Sequence, residues 1–322
     1  MTVSEVLRAE YRSQGWVGVV AAGFAGDGGR RLWRLAGGFS DLEAGRAASW
    51  HDRMLAGSIT KLLTATAALQ LIGEGALRLD ESANTYLRRL KLADERVTIR
   101  HLLTHTGGVS SDFEHFADAA PDSPATVLGD VVKVDFEPGT SRVYSNGGYT
   151  VLGEVIAGAC ASDIPRVLTE RVLGPLGMSS SSLATIWPDD VGPGYEVTDG
   201  RAEAVARKVP SVPAAGGLCT TLEDLAHFVA GWRGLLPAGL AEEALSPQAE
   251  RDGGGHQGFG WLLARSDAGP IVGHGGGVLG FSSSLLWMPE SGLCSILMTN
   301  RVGAAEAANL KLLQAIGADV VW

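Results

Sequence analysis

The sequence predicts an α+β fold in which helices flank one antiparallel sheet and the two ends of the chain both supply strands. Runs with strand composition occupy residues 16–24 and 31–38, and strand texture returns after Gly258. Between these two regions, apolar residues recur mainly at helical spacing. This order indicates that the terminal strands complete a single sheet around a mostly α-helical insertion.

A chain of 322 residues is long enough for one large domain or two smaller ones. Because strands from both ends are expected in one sheet, we predict one domain over residues 1–322. Its α/β part would comprise residues 1–75 and 212–322, and its mostly helical part would comprise residues 76–211.

Composition narrows the classes of function. The chain has 26 basic and 36 acidic residues, a net charge of -10, and no basic cluster, so nucleic acid and membranes are not expected partners. Three scattered cysteines, Cys160, Cys219 and Cys294, are typical of a reducing compartment. No signal-like segment is visible at the start, and no apolar run reaches the ~18 residues of a membrane span. We therefore expect a cytoplasmic protein.

The first elements follow from local signals. Thr2 and Glu5 have the spacing of a capping box, which predicts a short helix at the start of the chain. The strand runs 16–24 and 31–38 are separated by the glycine-rich segment 26–29, which predicts a hairpin.

The later elements alternate between helix and strand. A second long apolar helix is predicted to begin near Gly148, and a third at Thr221. Residues 179–213 lack periodicity, so we expect a long surface excursion there. A closing helix should contain Leu310 and Ile316. The predicted strands of the second half are 259–265, 270–274, 281–288 and 292–299.

The first reactive pair is Ser58 and Lys61, at the start of a long apolar helix that ends at Gly73. Residues three apart share a helix face, so the hydroxyl and the amine should meet. A serine hydroxyl needs a base that takes its proton, and a lysine can act as that base only if its pKa falls from about 10.4. Burial against the apolar helix could lower the pKa by that mechanism.

Two further motifs contain groups that could take part in catalysis. Tyr144 and Asn146 precede the second long helix; a phenolate at Tyr144 could accept the serine proton, and the amide of Asn146 could orient Lys61 or a substrate carbonyl. Residues 271–281 read as a strand that carries a histidine followed by glycines, which typically mark a close approach of a ligand or another backbone. A backbone N–H there, paired with that of Ser58, would form an oxyanion hole.

In this order, Ser58-Ile59-Thr60-Lys61, Tyr144-Ser145-Asn146 and His274-Gly275-Gly276 resemble the three active-site motifs of the serine β-lactamase and penicillin-binding protein superfamily. The branch of class C β-lactamases, family VIII esterases and D-Ala-D-Ala carboxypeptidase or D-aminopeptidase relatives is the most similar. Framework stretches agree from about residue 41 to residue 300, including 98–108, 137–140, 175–178 and 216–221.

The resemblance implies a role for each motif. Ser58 would be the acylated nucleophile, Lys61 its proton partner, and Tyr144 the general base for acylation and general acid for the leaving group. The remaining implied residues bind substrate (Asn146, His274, Gly275 and Gly276) or form the oxyanion hole through backbone N–H groups (Ser58 and Gly277). The implied fold packs an α/β part against an α-helical part, with no metal or other cofactor.

One departure from the family pattern narrows the substrate. Most β-lactamases carry a lysine at the position of His274, and its charge binds the carboxylate of penicillins. A histidine is only partly charged at pH 7, so we expect an esterase or D-aminopeptidase-like hydrolase of a small acyl substrate rather than an efficient β-lactamase. The alternatives are an acyltransferase of secondary metabolism and a penicillin-binding sensor that does not turn over. The sequence leaves the oligomeric state open.

Two other hydrolase classes are disfavoured. His101 and His105 lie four residues apart, and His115 could complete a metal site. However, Leu102 stands where an H-E-x-x-H enzyme has its glutamate. An ordinary α/β-hydrolase needs a Gly-x-Ser-x-Gly elbow, which the chain lacks.

Overall fold

The computed structural model describes residues 3–26, 30–120, 125–303 and 305–315. Within them the helices are α1 (Val3–Gln14), α2 (Thr60–Gly73), α3 (Ile99–Thr104), α4 (Ala125–Leu128), α5 (Asn146–Cys160), α6 (Ile164–Leu168), α7 (Pro213–Gly216), α8 (Leu222–Gly231), α9 (Ala238–Ala244) and α10 (Ala305–Ala315). Short 3₁₀ turns occupy Gly57–Ile59, Ala83–Thr85 and Trp232–Leu235, and a π-helical turn occupies Thr169–Leu173.

The strands are β1 (Gly18–Ala25), β2 (Arg30–Asp41), β3 (Arg46–Ala47), β4 (Met54–Leu55), β5 (Lys91–Leu92), β6 (Phe116–Ala117), β7 (Val131–Val132), β8 (Ser182–Leu183), β9 (Tyr195–Thr198), β10 (Arg201–Ala204), β11 (Val209–Pro210), β12 (Leu218–Thr220), β13 (Ala249–Glu250), β14 (His256–Gln257), β15 (Leu262–Ser266), β16 (Gly269–Val278), β17 (Phe281–Met288) and β18 (Leu293–Thr299).

Both ends of the chain build the main sheet, as predicted. Among the described residues its strand order is β13-β14-β15-β16-β17-β18-β1-β2-β3, with antiparallel neighbours. Val20 of β1 lies opposite Met298 of β18 and Ala36 of β2, so the predicted first hairpin is confirmed. Three residues of its turn, 27–29, lie outside the described part of the chain.

Helices cover both faces of this sheet, which explains why β1 is buried almost throughout rather than alternating. Val19 and Ala21 pack with Val6 of α1 and Leu312 of α10 on one face. Val20 on the other face belongs to the main core. The first and last helices are therefore confirmed, although Thr2 and Ile316 lie outside the described residues.

Helix α2 is the centre of the main core. Eleven of its 14 residues are buried, including Lys61. Its threonine hydroxyls are satisfied by carbonyls, as when Thr64 donates to Ala214 O at 2.8 Å. A helix buried on all sides places any polar side chain it carries in a region of low dielectric constant.

The segment 179–213 is only partly the surface excursion that we predicted. Its β9–β10 hairpin is mostly exposed, but Val191 and Tyr195 are buried. The Tyr195 amide donates to the carbonyls of Gly280 and Asn300, at 3.2 and 3.0 Å. Strands of two to four residues are too short for a periodic pattern to reveal them.

Along the described parts of the chain, no helix has both the length and the apolar character that crossing a membrane requires. The division into one α/β part and one mostly helical part stays a prediction.

Candidate active site

Ser58 lies in the 3₁₀ turn Gly57–Ile59, directly before α2. Gly57 has a φ of +52°, and a Cβ there would come within 3.0 Å of the Gly277 nitrogen. A glycine is therefore required for this turn to approach strand β16. Lys61 Nζ lies 3.0 Å from Ser58 Oγ, so the predicted contact across one helical turn is present.

Lys61 is fully buried and contacts three oxygen atoms. Besides Ser58 Oγ, its Nζ donates to Asn146 Oδ1 at 2.8 Å and to the Ala215 carbonyl at 2.7 Å. Burial lowers the pKa of this amine well below its usual value of 10.5. A neutral amine has two hydrogens and one lone pair, so bonds to these two acceptors leave the lone pair for the Ser58 hydroxyl.

The carbonyl of Ala215 is a functional group that sequence reasoning missed. It belongs to α7, which packs against α2 and α5. Thr60 joins the same region to the serine turn, because its hydroxyl donates to Gly57 O at 2.6 Å and accepts from Leu218 N at 2.9 Å. In the sequence, only the framework stretch 216–221 indicated this region. Every residue has a main-chain carbonyl, so no residue pattern could have predicted that this one contacts Lys61.

Tyr144 and Asn146 are placed by the start of α5. Ser145 is its N-cap and accepts from Gly148 N at 2.8 Å, so the helix begins two residues before the predicted position. Asn146 is the first helical residue and faces Lys61. Tyr144, just outside the helix, brings its hydroxyl to 2.6 Å from Ser58 Oγ.

The Tyr144 ring is held between Lys61 and His105. Lys61 Nζ lies 4.8 Å from the ring centroid, and the imidazole centroid of His105 lies 4.5 Å from it. Although 38% of Tyr144 is exposed in the open cleft, the protein packed around it raises the pKa of its phenol to about 12. Tyr144 therefore carries its proton at neutral pH.

Two of the three histidines in the disfavoured metal hypothesis accept hydrogen bonds from backbone amides instead. His105 Nδ1 accepts from Ser145 N at 3.1 Å, and His101 Nδ1 accepts from Thr98 N at 3.2 Å. The described residues contain no group of three or more histidine, cysteine or acidic side chains that could hold a metal ion. His105 is thus a positioning residue for the tyrosine motif, which the sequence did not indicate.

The glycines of the third motif lie in a regular strand. Strand β16 includes the glycines after His274 and ends at Val278, because these glycines keep the main-chain register with β17. Strand β15 pairs only with residues 269–273, and β17 is the sole described strand paired with residues 274–278. A Cβ on Gly276 would overlap Ala56 O. The serine turn therefore lies directly against this part of β16.

His274 is almost completely buried, with 4% of its surface exposed. Its Nδ1 lies 2.5 Å from the Gly275 carbonyl, which can only accept, so Nδ1 carries the proton of the neutral ring. Nε2 has no hydrogen-bond partner among the described residues. Burial lowers the pKa of His274 to about 3. The imidazole is therefore neutral, not partly charged as we had expected.

The three motifs border one open cleft of about 520 Å³. Ser58, Tyr144 and His274 contribute side chains to it, and Gly275, Gly276 and Gly277 contribute backbone. This arrangement can hold a carbonyl beside a hydroxyl that is in contact with both an amine and a phenol.

The lowered pKa of His274 predicts how stability depends on pH. Below pH 6.5 the unfolded chain takes up a proton at this residue while the folded protein does not until about pH 3, so the free energy of unfolding falls on acidification. The expected contribution is about 1.4 kcal/mol per pH unit. Urea denaturation between pH 7 and pH 5 should show a smaller loss in His274→Gln. His227→Gln, at an exposed position, is the control; an equal loss in both variants would contradict the prediction.

Comparisons with known proteins identify the family of the chain. The Beta-lactamase family model matches residues 3–318, so the chain belongs to the β-lactamase family. A D-aminopeptidase from Brucella anthropi is 28% identical over 301 residues, which cover 88% of this chain and 56% of that protein. A D-aminopeptidase from Brucella canis is 26% identical over 307 residues, covering 89% and 57%. The chain thus spans little more than half the length of these relatives.

Two solved structures share the fold. The D-amino acid amidase from Ochrobactrum anthropi SV3 superimposes with a TM-score of 0.82 at 23% identity and covers 98% of both chains. The octameric penicillin-binding protein homologue from Pyrococcus abyssi also has a TM-score of 0.82, at 22% identity, covering 98% of this chain and 77% of the other. The predicted fold class is confirmed.

Proposed function

We propose that this protein is a serine hydrolase that forms a covalent acyl-enzyme at Ser58 on a small ester, amide or peptide. The observation that carries the proposal is that Ser58 Oγ lies 3.0 Å from a fully buried lysine amine and 2.6 Å from a tyrosine hydroxyl. D-aminopeptidase relatives support an esterase or peptidase type of reaction. The substrate is a small molecule, and the cytoplasmic location stays a prediction.

The pKa shifts of Lys61 and Tyr144 have opposite directions and favour different proton-transfer roles for the two residues. Burial lowers the pKa of Lys61, so its amine is the better acceptor for the Ser58 proton. The raised pKa of Tyr144, about 12, suits a group that donates a proton. In this proposal Tyr144 is the general acid for the leaving group, and Lys61 takes the base role that the resemblance had implied for Tyr144.

In acylation, the Ser58 Oγ–carbon bond forms while the hydroxyl proton passes to Lys61 Nζ. Backbone N–H groups of Ser58 and Gly277 would stabilise the carbonyl oxygen as it becomes negative, and the close approach of Gly57 to Gly277 supports this pairing. The bond to the leaving alcohol or amine then breaks, that group takes a proton from Tyr144, and Tyr144 regains a proton from the Lys61 ammonium. Water then attacks the acyl carbon while one of its protons passes to Lys61 Nζ; the bond from that carbon to Ser58 Oγ breaks, and Ser58 regains its proton from Lys61.

Intact-mass analysis after exposure to a panel of nitrophenyl esters, amino acid amides and β-lactams tests the proposal. We expect a mass gain equal to the acyl group, located at Ser58 by peptide mapping, with continued release of product. No adduct with any compound, or an adduct elsewhere, would overturn it. A single burst without turnover would favour the sensor alternative.

A further inference from the structure

The main sheet has an open edge along most of β2. On its inner side β2 pairs with β1 from Arg30 to Gly38, but on its outer side it pairs with β3 only at Phe39 and Asp41. Among the described strands, none pairs with the outer side of residues 30–37. Such an edge presents main-chain N–H and C=O groups to which another extended segment can pair.

A groove of about 530 Å³ lies beside this edge, between α1 and β2. Ala36, Gly37 and Gly38 of β2 line it, and their small side chains leave it open. A Cβ on Gly37 would still be 3.9 Å from Val19. A strand added to β2 would lie about 4.8 Å away and direct every second side chain to the face of the groove. The groove therefore has room for side chains of an added strand.

Two arginines of α1, Arg8 and Arg12, line the groove. They are one helical turn apart, so they share a helix face, and neither forms a salt bridge with another described residue. No acidic side chain is among the described residues that line the groove. Glu5 of α1 does not line it, and Glu10 is buried and pairs with Lys311. The groove thus carries a positive charge.

The edge strand is also basic. Arg31 and Arg34 lie near a single carboxylate, that of Glu223, at 2.9 and 4.0 Å. Arg30, the first residue of β2, is exposed. Because the whole chain has a net charge of -10, this edge differs in charge from the rest of the protein.

The charge selects among possible partners. Pairing of β2 with β2 of a second copy would bring the arginines of both edges together, and like charges on adjacent strands are destabilising. A nucleic acid would satisfy the charge but has no peptide groups that could continue the sheet. An acidic polypeptide in an extended conformation satisfies both the arginines and the open main-chain groups.

We propose that residues 30–37 of β2, together with Arg8 and Arg12, bind an acidic extended segment of a partner protein, which adds to the main sheet as a further strand. Acidic side chains on the groove face of that segment would contact the two arginines. The inference is independent of the proposed hydrolysis, because three strands, β17, β18 and β1, separate β2 from β16 of the candidate active site.

Three fluorescein-labelled peptides of ten residues test the inference by fluorescence anisotropy at 0.15 M salt. We expect saturable binding of a peptide that alternates glutamate and valine. A peptide that alternates glutamate and proline has the same charge, but its prolines cannot donate to a neighbouring strand, so it should bind at least tenfold more weakly. A peptide that alternates lysine and valine should not bind.

A double variant locates the charge contacts. Arg8→Ala with Arg12→Ala should weaken binding of the glutamate–valine peptide by about tenfold or more, because two contacts with carboxylates are lost. Arg88→Ala with Arg207→Ala removes two exposed arginines outside the groove and should leave the affinity unchanged.

Hydrogen–deuterium exchange of the unmodified protein locates the added strand. With the glutamate–valine peptide bound, amides within residues 30–37 should exchange more slowly. The inference would be overturned by no binding of this peptide, by equal binding of the glutamate–proline peptide, or by tighter binding of a ten-residue oligothymidylate. An affinity that the Arg8 and Arg12 double variant retains, or protection confined to other segments, would also contradict it.

Discussion

Ser58→Ala is expected to abolish covalent labelling by a fluorescent phosphonate and to lower kcat by about 10⁶-fold. The hydroxyl is the only atom of this residue that can form the acyl bond, and both its partners, Lys61 Nζ and the Tyr144 hydroxyl, remain in place in the variant. Labelling followed by gel fluorescence and steady-state release of nitrophenol from an ester measure the two effects.

Ser179→Ala is the control, because Ser179 is an exposed serine outside the cleft. It should label and turn over as the unmodified protein does. If Ser58→Ala were labelled at a comparable rate, another residue would be the nucleophile, which would contradict the proposed function.

Lys61→Met is expected to lower kcat/KM by about 10⁴-fold while the fold is retained. Methionine fills a similar volume in the buried helix but cannot accept the Ser58 proton. The change leaves Asn146 Oδ1 and the Ala215 carbonyl without their donor, at a cost of about 1–3 kcal/mol each. Thermal unfolding should therefore show a lower Tm but a cooperative transition.

Lys61→Arg tests whether Lys61 acts as a base or only provides a positive charge. A guanidinium stays charged at every accessible pH and cannot take a proton, so this variant should be as inactive as Lys61→Met. Near-normal turnover in Lys61→Arg would show that Lys61 is not the base that takes the Ser58 proton.

The pH profile of the unmodified enzyme follows from the same assignment. Below its pKa the Lys61 amine is protonated and cannot act, so kcat/KM should rise with pH through a midpoint well below 10.5. Because the pKa of Tyr144 is raised to about 12, its deprotonation should cause no decline below about pH 11. Rates with a neutral ester across pH 5–10 measure this; a profile without the rising limb would contradict it.

Local spacing explains part of the candidate site. Ser58 and Lys61 meet because they are one helical turn apart, and the strand runs near both ends pair as their composition predicts. The contact between Tyr144 and Ser58 joins residues 86 positions apart. No periodicity predicts such a contact, and the expectation came from the resemblance of three motifs in their order along the chain.

Residue identities and their periodicity were sufficient for the fold class, for the reactive pair at the start of α2 and for the glycine-rich strand opposite it. They could not give the charge state of that pair, because a pKa depends on how much water and how many charges surround a group after packing. The burial of Lys61 and His274 and the contact of Lys61 with the Ala215 carbonyl arise from contacts between distant segments. Those contacts set the directions in which the pKa values of Lys61 and His274 shift.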